Sequence, residues 1–212
     1  MDYIISIMPT LMHGLKLSLE IFFVTLFIAF PFAVILAIGK VFGSVFIRKI
    51  LAFYTWVWRG TPLMLQLFFF YYALPMLGVT APPFLTAALA YILNSAAYET
   101  EIVRSGIIAV DKGQFEAAKA LGMNFWQTMF RVVIPQIIKQ ILPATCSEVI
   151  ILFKDTALVA AIGMSDLLRS SKEIITTDFK ITSFFVAFVI YLIISSILVQ
   201  AFTRWEKKLA VY

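Results

Sequence analysis

Long apolar stretches alternate with short polar segments along this chain of 212 residues. Residues 17–39 form an apolar stretch whose only charge is Glu20. Residues 60–98 carry no charge, yet they are too many for one helical crossing, which takes about 20 residues. Turn-forming residues lie in their middle: Pro75, Gly78, Pro82 and Pro83. The pattern predicts an all-α membrane protein with five transmembrane helices. They cover residues 17–39, 50–76, 84–110, 136–163 and 181–203.

Basic residues are distributed unevenly over the segments that join these stretches. The segment before His13 and the turn at 75–83 contain none, and three basic residues in 165–182 are offset by three acidic ones. Nine lie in the other links and the tail: Lys40, Arg48, Lys49, Lys112, Lys119, Arg131, Arg204, Lys207 and Lys208. Because cytoplasmic loops are enriched in Lys and Arg, we expect the N-terminus outside and the C-terminus in the cytoplasm.

Composition narrows the class further. With 62% hydrophobic and 14% charged residues, a soluble domain of this size could not solvate its surface. We expect one transmembrane domain over residues 1–212. The single Cys146 allows no intrachain disulfide, and the single His13 has no partner ligand nearby, so no metal site is expected. No phosphate-binding loop occurs, because Gly39-Lys40 is followed by Val41; any ATP must be bound by another subunit.

Residues 113–135 include both polar and apolar side chains, and they lie between two apolar stretches that are long enough to cross a membrane. Gly122 suits the end of a short helix, Asn124 with Gln127 resembles a capping box for a second one, and Pro135 is expected to close that second helix. An apolar ridge is predicted on one helical face, formed by Phe115, Ala118, Gly122, Phe125 and Met129. We call residues 113–135 the knuckle. The alternative is an amphipathic interfacial helix that only links two spans.

Polar residues within the predicted third span follow a helical repeat. Asn94, Tyr98, Glu101 and Ser105 fall on one stripe, which must face another helix or a cavity. Glu101 and Arg104 are near the cytoplasmic end and are expected to lock helices or close a gate. Arg59, near the start of the predicted second span, is likewise expected to lock helices or close a gate.

The predicted fourth span also carries charges. Glu148 follows Pro143, where the helix is loosened, and it shares a face with Asp155, seven residues on. Our hypothesis is that Glu148, with Asn94, Ser95 and Tyr98, lines a substrate site near the bilayer midplane. The alternative is that Glu148 forms a salt bridge within the bundle, and Lys154 and Asp155 are expected to have structural or gating roles.

Several stretches resemble one family. Arg59-Gly60-Thr61-Pro62-Leu63, residues 94–106 and Glu116-Ala117-Ala118 with Gly122 are similar, in matching order, to the signatures of polar amino acid permeases of ABC importers. Cys146-Ser147 departs from the Gly-Asn that is frequent in that family before Glu148. The chain is identified as similar to the histidine/glutamine/arginine-type transmembrane subunits.

The resemblance implies a type I importer permease fold in a bacterial inner membrane, with an identical or paralogous second permease. It implies an extracytoplasmic amino-acid-binding protein and cytoplasmic ATPases that hold ATP and Mg²⁺, while this chain binds no cofactor and is no enzyme. The substrate would be a polar amino acid, basic ones included. Coupling to the ATPase would run through a cytoplasmic segment, 111–135. Its coupling residues would be Glu116, Ala117, Ala118, Leu121, Gly122 and Pro135.

Two other functions compete on the residues alone. In a passive channel or ion-coupled carrier, Glu101 and Glu148 would relay protons, and flux would not need ATP. An intramembrane enzyme would need a nucleophile and a base, or a metal, at the membrane surface. The single His and the single Cys are far from obvious partners, which makes such a site a poor hypothesis.

Overall fold

The computed structural model describes residues 2–210, and their regular structure is helical throughout. The α-helices are α1 (Asp2–Phe42), α2 (Val45–Gly60), α3 (Leu63–Phe68), α4 (Leu74–Met76), α5 (Pro83–Ala109), α6 (Lys112–Ala120), α7 (Phe125–Thr128), α8 (Ile134–Asp155), α9 (Leu167–Asp178) and α10 (Thr182–Ala210). Two π-helical segments, Phe69–Ala73 and Met129–Val133, and a 3₁₀ segment, Thr156–Ile162, complete the chain. Within the described part, α1 and the stretch Thr182–Lys208 are long and apolar enough to cross a membrane by length and composition alone.

Helix α1 is the central element, and α5 is its main neighbour. Helix α1 begins well before the predicted span at 17–39 and continues through Pro9 and Pro31. Small side chains allow the close approach of the two helices, because Ala29 and Ala33 on α1 are buried together with Ala96 on α5. Without hydrophobic driving force between helices in lipid, such close backbone packing stabilises the pair.

The predicted span 50–76 is wrong as one helix, because the chain breaks at Thr61-Pro62. Thr61 and Pro62 are both extended, since a proline disfavours helical conformation in the residue before it. The buried side chain of Gln66 partly fills the gap: its Nε2 donates to the Trp58 carbonyl at 2.9 Å and to the Thr61 hydroxyl at 2.8 Å. This contact supplies a partner to a helix-end carbonyl.

The expectation that Pro135 closes a helix is also wrong. The chain passes from α7 through the π-helical segment Met129–Val133 directly into α8, with Pro135 in its first turn. Proline lacks the N–H and would crowd the carbonyl four residues earlier in an α-helix, so a wider turn before it removes the conflict. The same arrangement precedes Pro75, where Phe69–Ala73 is π-helical.

The knuckle otherwise forms as the sequence indicates. Gly122 has φ +72° between α6 and α7, and Asn124 makes both hydrogen bonds of a capping box with Gln127. Beyond it, α8 runs through Pro143 without interruption and ends at Asp155; Gly163, at φ +85°, closes the 3₁₀ segment. The polar connection 165–182, for which the sequence pattern predicted no particular structure, contains α9.

Helix α9 is held against α1 by a close backbone contact. A Cβ atom on Gly14 would lie 2.5 Å from the Asp166 carbonyl oxygen and would also collide with the Ser170 hydroxyl. Asp166 is buried and caps α9 by accepting from the backbone N–H groups of Leu168 and Arg169. The contact therefore leaves no room for a side chain at position 14.

We expect Gly14→Ala to destabilise the protein by about 1–3 kcal/mol, since backbone atoms must move to accept the methyl group. Gly60→Ala is the matched control, because nothing lies within 4 Å of a Cβ there. Thermal unfolding in detergent, followed by size-exclusion chromatography, measures both. An unchanged melting temperature in Gly14→Ala would contradict the packing described.

Candidate substrate cavity and coupling surface

A cavity of about 280 Å³ lies between α1, the break at 61–62, α5 and α8. Helix α1 contributes apolar side chains, and the break contributes Thr61 and Pro62. The polar lining comes from α5 and α8. Its residues are Asn94, Ser95, Tyr98, Glu99, Glu148 and Asp155. No Lys, Arg or His side chain of the described residues lines it, so its charged lining is acidic.

The structure brings the four residues predicted for the substrate site together in this cavity. Asn94 has a defined position, because its Nδ2 donates to the Trp58 carbonyl at 3.1 Å and to Gln66 Oε1 at 2.9 Å. The Tyr98 hydroxyl donates to the Arg59 carbonyl at 3.3 Å. Both residues thus fix α5 against the broken α2–α3 region while facing the cavity.

The charged residues of α8 lie on two different faces of the helix, as their spacing predicts. Glu148 and Asp155 both line the cavity, whereas Lys154 is exposed and is not among the lining residues. The buried Tyr91 of α5 donates its hydroxyl to the Asp155 backbone carbonyl at 2.6 Å, which fixes the end of α8. Arg59 is not among the lining residues, but its guanidinium carbon lies 5.4 Å from the centroid of the ring of Tyr98, which lines the cavity.

Sequence reasoning missed Glu99, which is only 5% exposed and lines the same cavity. Its carboxylate accepts a hydrogen bond from the Thr145 hydroxyl of α8 at 3.1 Å. The signal was present in the sequence, since Glu99 follows Ser95 by one helical turn. Glu99 is not part of the stripe formed by Asn94, Tyr98, Glu101 and Ser105, although Asn94 and Tyr98 of that stripe line the same cavity.

Glu101 ties three helices together near the predicted cytoplasmic end. Its carboxylate pairs with Lys40 of α1 and with Arg104 of α5, whose Nε lies 2.8 Å from Oε2. Lys40 also donates to the Thr55 hydroxyl of α2 at 2.6 Å. Sequence reasoning had counted Lys40 only as a loop charge, although its side chain is 14% exposed and bonded within the bundle.

The apolar ridge of the knuckle packs partly on the chain's own core: Ala118, one of the expected coupling residues, and Met129 are buried, whereas Gly122 and Phe125 are exposed. Ala118 is 2% exposed and Met129 1% exposed, and Phe42 of α1 packs on Phe115 and Phe125 with ring centroids 6.1 and 5.2 Å away. The outer surface of the knuckle is formed by exposed residues, Gly122 of the ridge among them. These are Glu116, Ala117, Leu121, Gly122, Trp126 and Phe130, with Leu121 80% exposed.

The buried side of the knuckle continues into the bundle. Met129 and Val133 of the π-helical segment pack in one cluster with Ala37 of α1 and with apolar residues of α5 and α8. Pro135, also expected to contact an ATPase, is exposed at the start of α8. Among the described residues, no group of three or more His, Cys, Asp or Glu side chains could hold a metal ion.

Known sequences resemble most of the chain. It is 42% identical over 166 residues to the arginine transport system permease protein ArtQ of Bacillus subtilis (strain 168), covering 78% of this chain and 76% of that one. It is 32% identical over 206 residues to the glutamine transport system permease protein GlnP of Escherichia coli (strain K12), covering 96% and 94%. An L-cystine permease protein, TcyB of Bacillus subtilis (strain 168), is 35% identical over 169 residues, or 80% of this chain and 72% of that one.

Solved structures and a sequence family indicate the same class of protein as these relatives. A crystal structure of an amino acid ABC transporter with histidines contains a chain with a TM-score of 0.88 and 33% identity, covering 97% of both chains. An inward-facing methionine ABC transporter, MetNI, shares the fold, with a TM-score of 0.80 at 18% identity over 96% and 98%. Residues 29–210 match the family described as binding-protein-dependent transport system inner membrane component. The chain belongs to this family of transport permeases.

Proposed function

We propose that this chain is the transmembrane subunit of an ATP-binding-cassette importer and forms the pathway for a polar amino acid, with basic amino acids favoured. The observation that carries the proposal is the cavity whose charged lining consists of carboxylates. Carboxylates in a low-dielectric site stabilise an α-ammonium or a cationic side chain through charge-assisted hydrogen bonds. The relatives named for arginine, glutamine and cystine transport support an amino acid as the substrate.

Glu148 is proposed as the main substrate ligand. It is half-buried in the cavity and has no salt-bridge partner among the described residues. Asn94, Ser95 and Tyr98 face it from α5 and would shape the site. Arg59, which contacts the ring of the cavity-lining Tyr98, is suited to bind the α-carboxylate of the substrate.

The chain is proposed to cross a bacterial inner membrane five times, with the N-terminus outside. The crossings would be α1, the broken region α2–α4, α5, α8 and α10. The distribution of basic residues supports the orientation, since the knuckle and the tail carry them. In this topology Glu101, Lys40 and Arg104 lie towards the cytoplasmic end and close the bundle below the cavity.

Its proposed partners are cytoplasmic ATPases, a second permease that is either identical or paralogous, and an extracytoplasmic binding protein. ATP and Mg²⁺ would be held by the ATPase. The knuckle would dock on the ATPase through its outer residues, with Leu121 at the tip. Because the inner side of the knuckle packs on α1, α5 and α8, movement of an ATPase would reach the cavity-lining helices as a rigid displacement.

We expect Glu148→Gln to lower the affinity of the importer for arginine about tenfold to a hundredfold, because a charge-assisted hydrogen bond contributes about 1.5–3 kcal/mol. Arginine binding to the purified permease–ATPase complex measures this. Glu20→Gln is the matched control, since Glu20 is exposed and pairs with Lys16 away from the cavity. Equal affinity in wild type and Glu148→Gln would rule out Glu148 as a ligand.

We expect Leu121→Asp to abolish co-purification of the ATPase and ATP-dependent uptake, because it places a charge in a docking contact. Leu77→Asp is the control: Leu77 is 72% exposed in the turn at the opposite end and its variant should keep the ATPase bound. Uptake into proteoliposomes with and without ATP completes the test. Uptake by this chain without an ATPase, or full coupling in Leu121→Asp, would favour a passive carrier instead.

A further inference from the structure

The helix break at Thr61-Pro62 leaves backbone carbonyls without helical partners, and the side chain of Gln66 meets two of them. Gln66 is 7% exposed, and its Nε2 lies 2.9 Å from the Trp58 carbonyl oxygen and 3.1 Å from the Thr61 carbonyl oxygen. A carbonyl group has no hydrogen to donate, so the amide nitrogen of Gln66 must face both oxygens. The opposite orientation of the amide would set its oxygen against two other oxygens.

The Thr61 hydroxyl requires the same orientation of the Gln66 amide. This hydroxyl donates to the Val57 carbonyl at 2.9 Å, so its oxygen can only accept from Gln66 Nε2, which lies 2.8 Å away. Every group around the amide nitrogen of Gln66 is therefore an acceptor. The amide oxygen, Oε1, is left to accept a hydrogen bond from a donor on α5.

That donor is the side-chain amide of Asn94. Its Nδ2 donates to Gln66 Oε1 at 2.9 Å and to the Trp58 carbonyl at 3.1 Å, which uses both of its N–H groups. The group that remains is Oδ1, for which the hydrogen bonds of residues 2–208 supply no donor, and Asn94 lines the cavity. The direction that backbone carbonyls impose at the break is thus passed through Gln66 to the cavity wall.

We propose that Gln66 is a positioning residue of the transport pathway. It orients the Asn94 amide so that Oδ1, a neutral acceptor, meets an N–H group of the transported molecule. Gln66 is not among the lining residues, so it acts on that molecule through Asn94. This inference rests on the proposed function, and it makes the helix break a working part of the site.

The test is a double-mutant cycle on amino acid binding, with arginine and glutamine as probes. Binding is measured to the purified permease–ATPase complex in lipid nanodiscs. Gln66→Met keeps the length of the side chain and removes its hydrogen bonds. It should lower the affinity for each probe that wild type binds about threefold to tenfold, because one neutral hydrogen bond of the site loses its orientation.

In the Asn94→Leu background, Gln66→Met should have no further effect on affinity, because the residue through which Gln66 acts is then absent. An equal loss in both backgrounds would overturn the assignment, since Gln66 would then act by another route. Wild-type affinity in Gln66→Met alone would overturn it as well. Gln136→Met is the matched control: the exposed Gln136 also donates to a backbone carbonyl, that of Val132 at 3.0 Å, and it does not line the cavity.

Gln66→Glu gives a second readout if Gln66→Met does not assemble with the ATPase. The protonated side chain of this variant donates its O–H to a carbonyl at the break and keeps an oxygen for Asn94, whereas the ionised side chain can only accept. Its affinity for the probe, relative to that of wild type at the same pH, should therefore fall between about pH 5.5 and about pH 9. A ratio that does not change with pH would overturn the assignment.

The failure of this inference can be told apart from the failure of the proposed function. If wild type binds arginine or glutamine and the cycle shows no coupling between Gln66 and Asn94, only the role of Gln66 is wrong. If the wild-type complex binds neither probe, both proposals fail.

Discussion

Every polar group within a bilayer must find its partner inside the protein, and this constraint shapes the structure more than any single apolar contact. The break at Thr61-Pro62 exposes backbone carbonyls, and the Gln66 side chain binds them. Gln66 in turn accepts from Asn94, so the same polar contacts that stabilise the break also hold α5. A helix break in this apolar region is thereby made compatible with a rigid wall of the cavity.

The same constraint distinguishes the two groups of charges. Glu101 has two cationic partners, and its contacts tie α1, α2 and α5 into one unit. Glu99 and Glu148 have no cationic partner in the described chain, and both face the cavity. The charges that are matched inside the protein join helices, whereas the unmatched ones lie in the cavity lining. The cavity of about 280 Å³ is therefore lined by carboxylates that no cation of the described residues neutralises.

The sequence was informative where a local signal decides the outcome. The uncharged run after the turn at 75–83 predicted α5 to within one residue at each end, and the capping residues Asn124 and Gln127 predicted the break in the knuckle. It failed where a distant contact or an unusual turn decides. Pro62 breaks an apolar run that looks continuous, and the Gln66 side chain binds the carbonyls at that break; Pro135 would end an ordinary α-helix but follows a π-helical segment. The partners of Lys40 and Glu99 are far away in sequence, so spacing along one helix could not identify them.

The π-helical segment Met129–Val133 also fixes the angular phase of α8 relative to the knuckle. One residue corresponds to about 100° of rotation in an α-helix. Loss or gain of a single residue between 129 and 148 would therefore turn Glu148 from the cavity towards a neighbouring helix or lipid, while the apolar composition would hardly change. Length variation is tolerable at 121–124, where the chain turns on the surface, and it is forbidden a few residues later. The number of residues in this stretch is thus as much a part of the transport pathway as their identity.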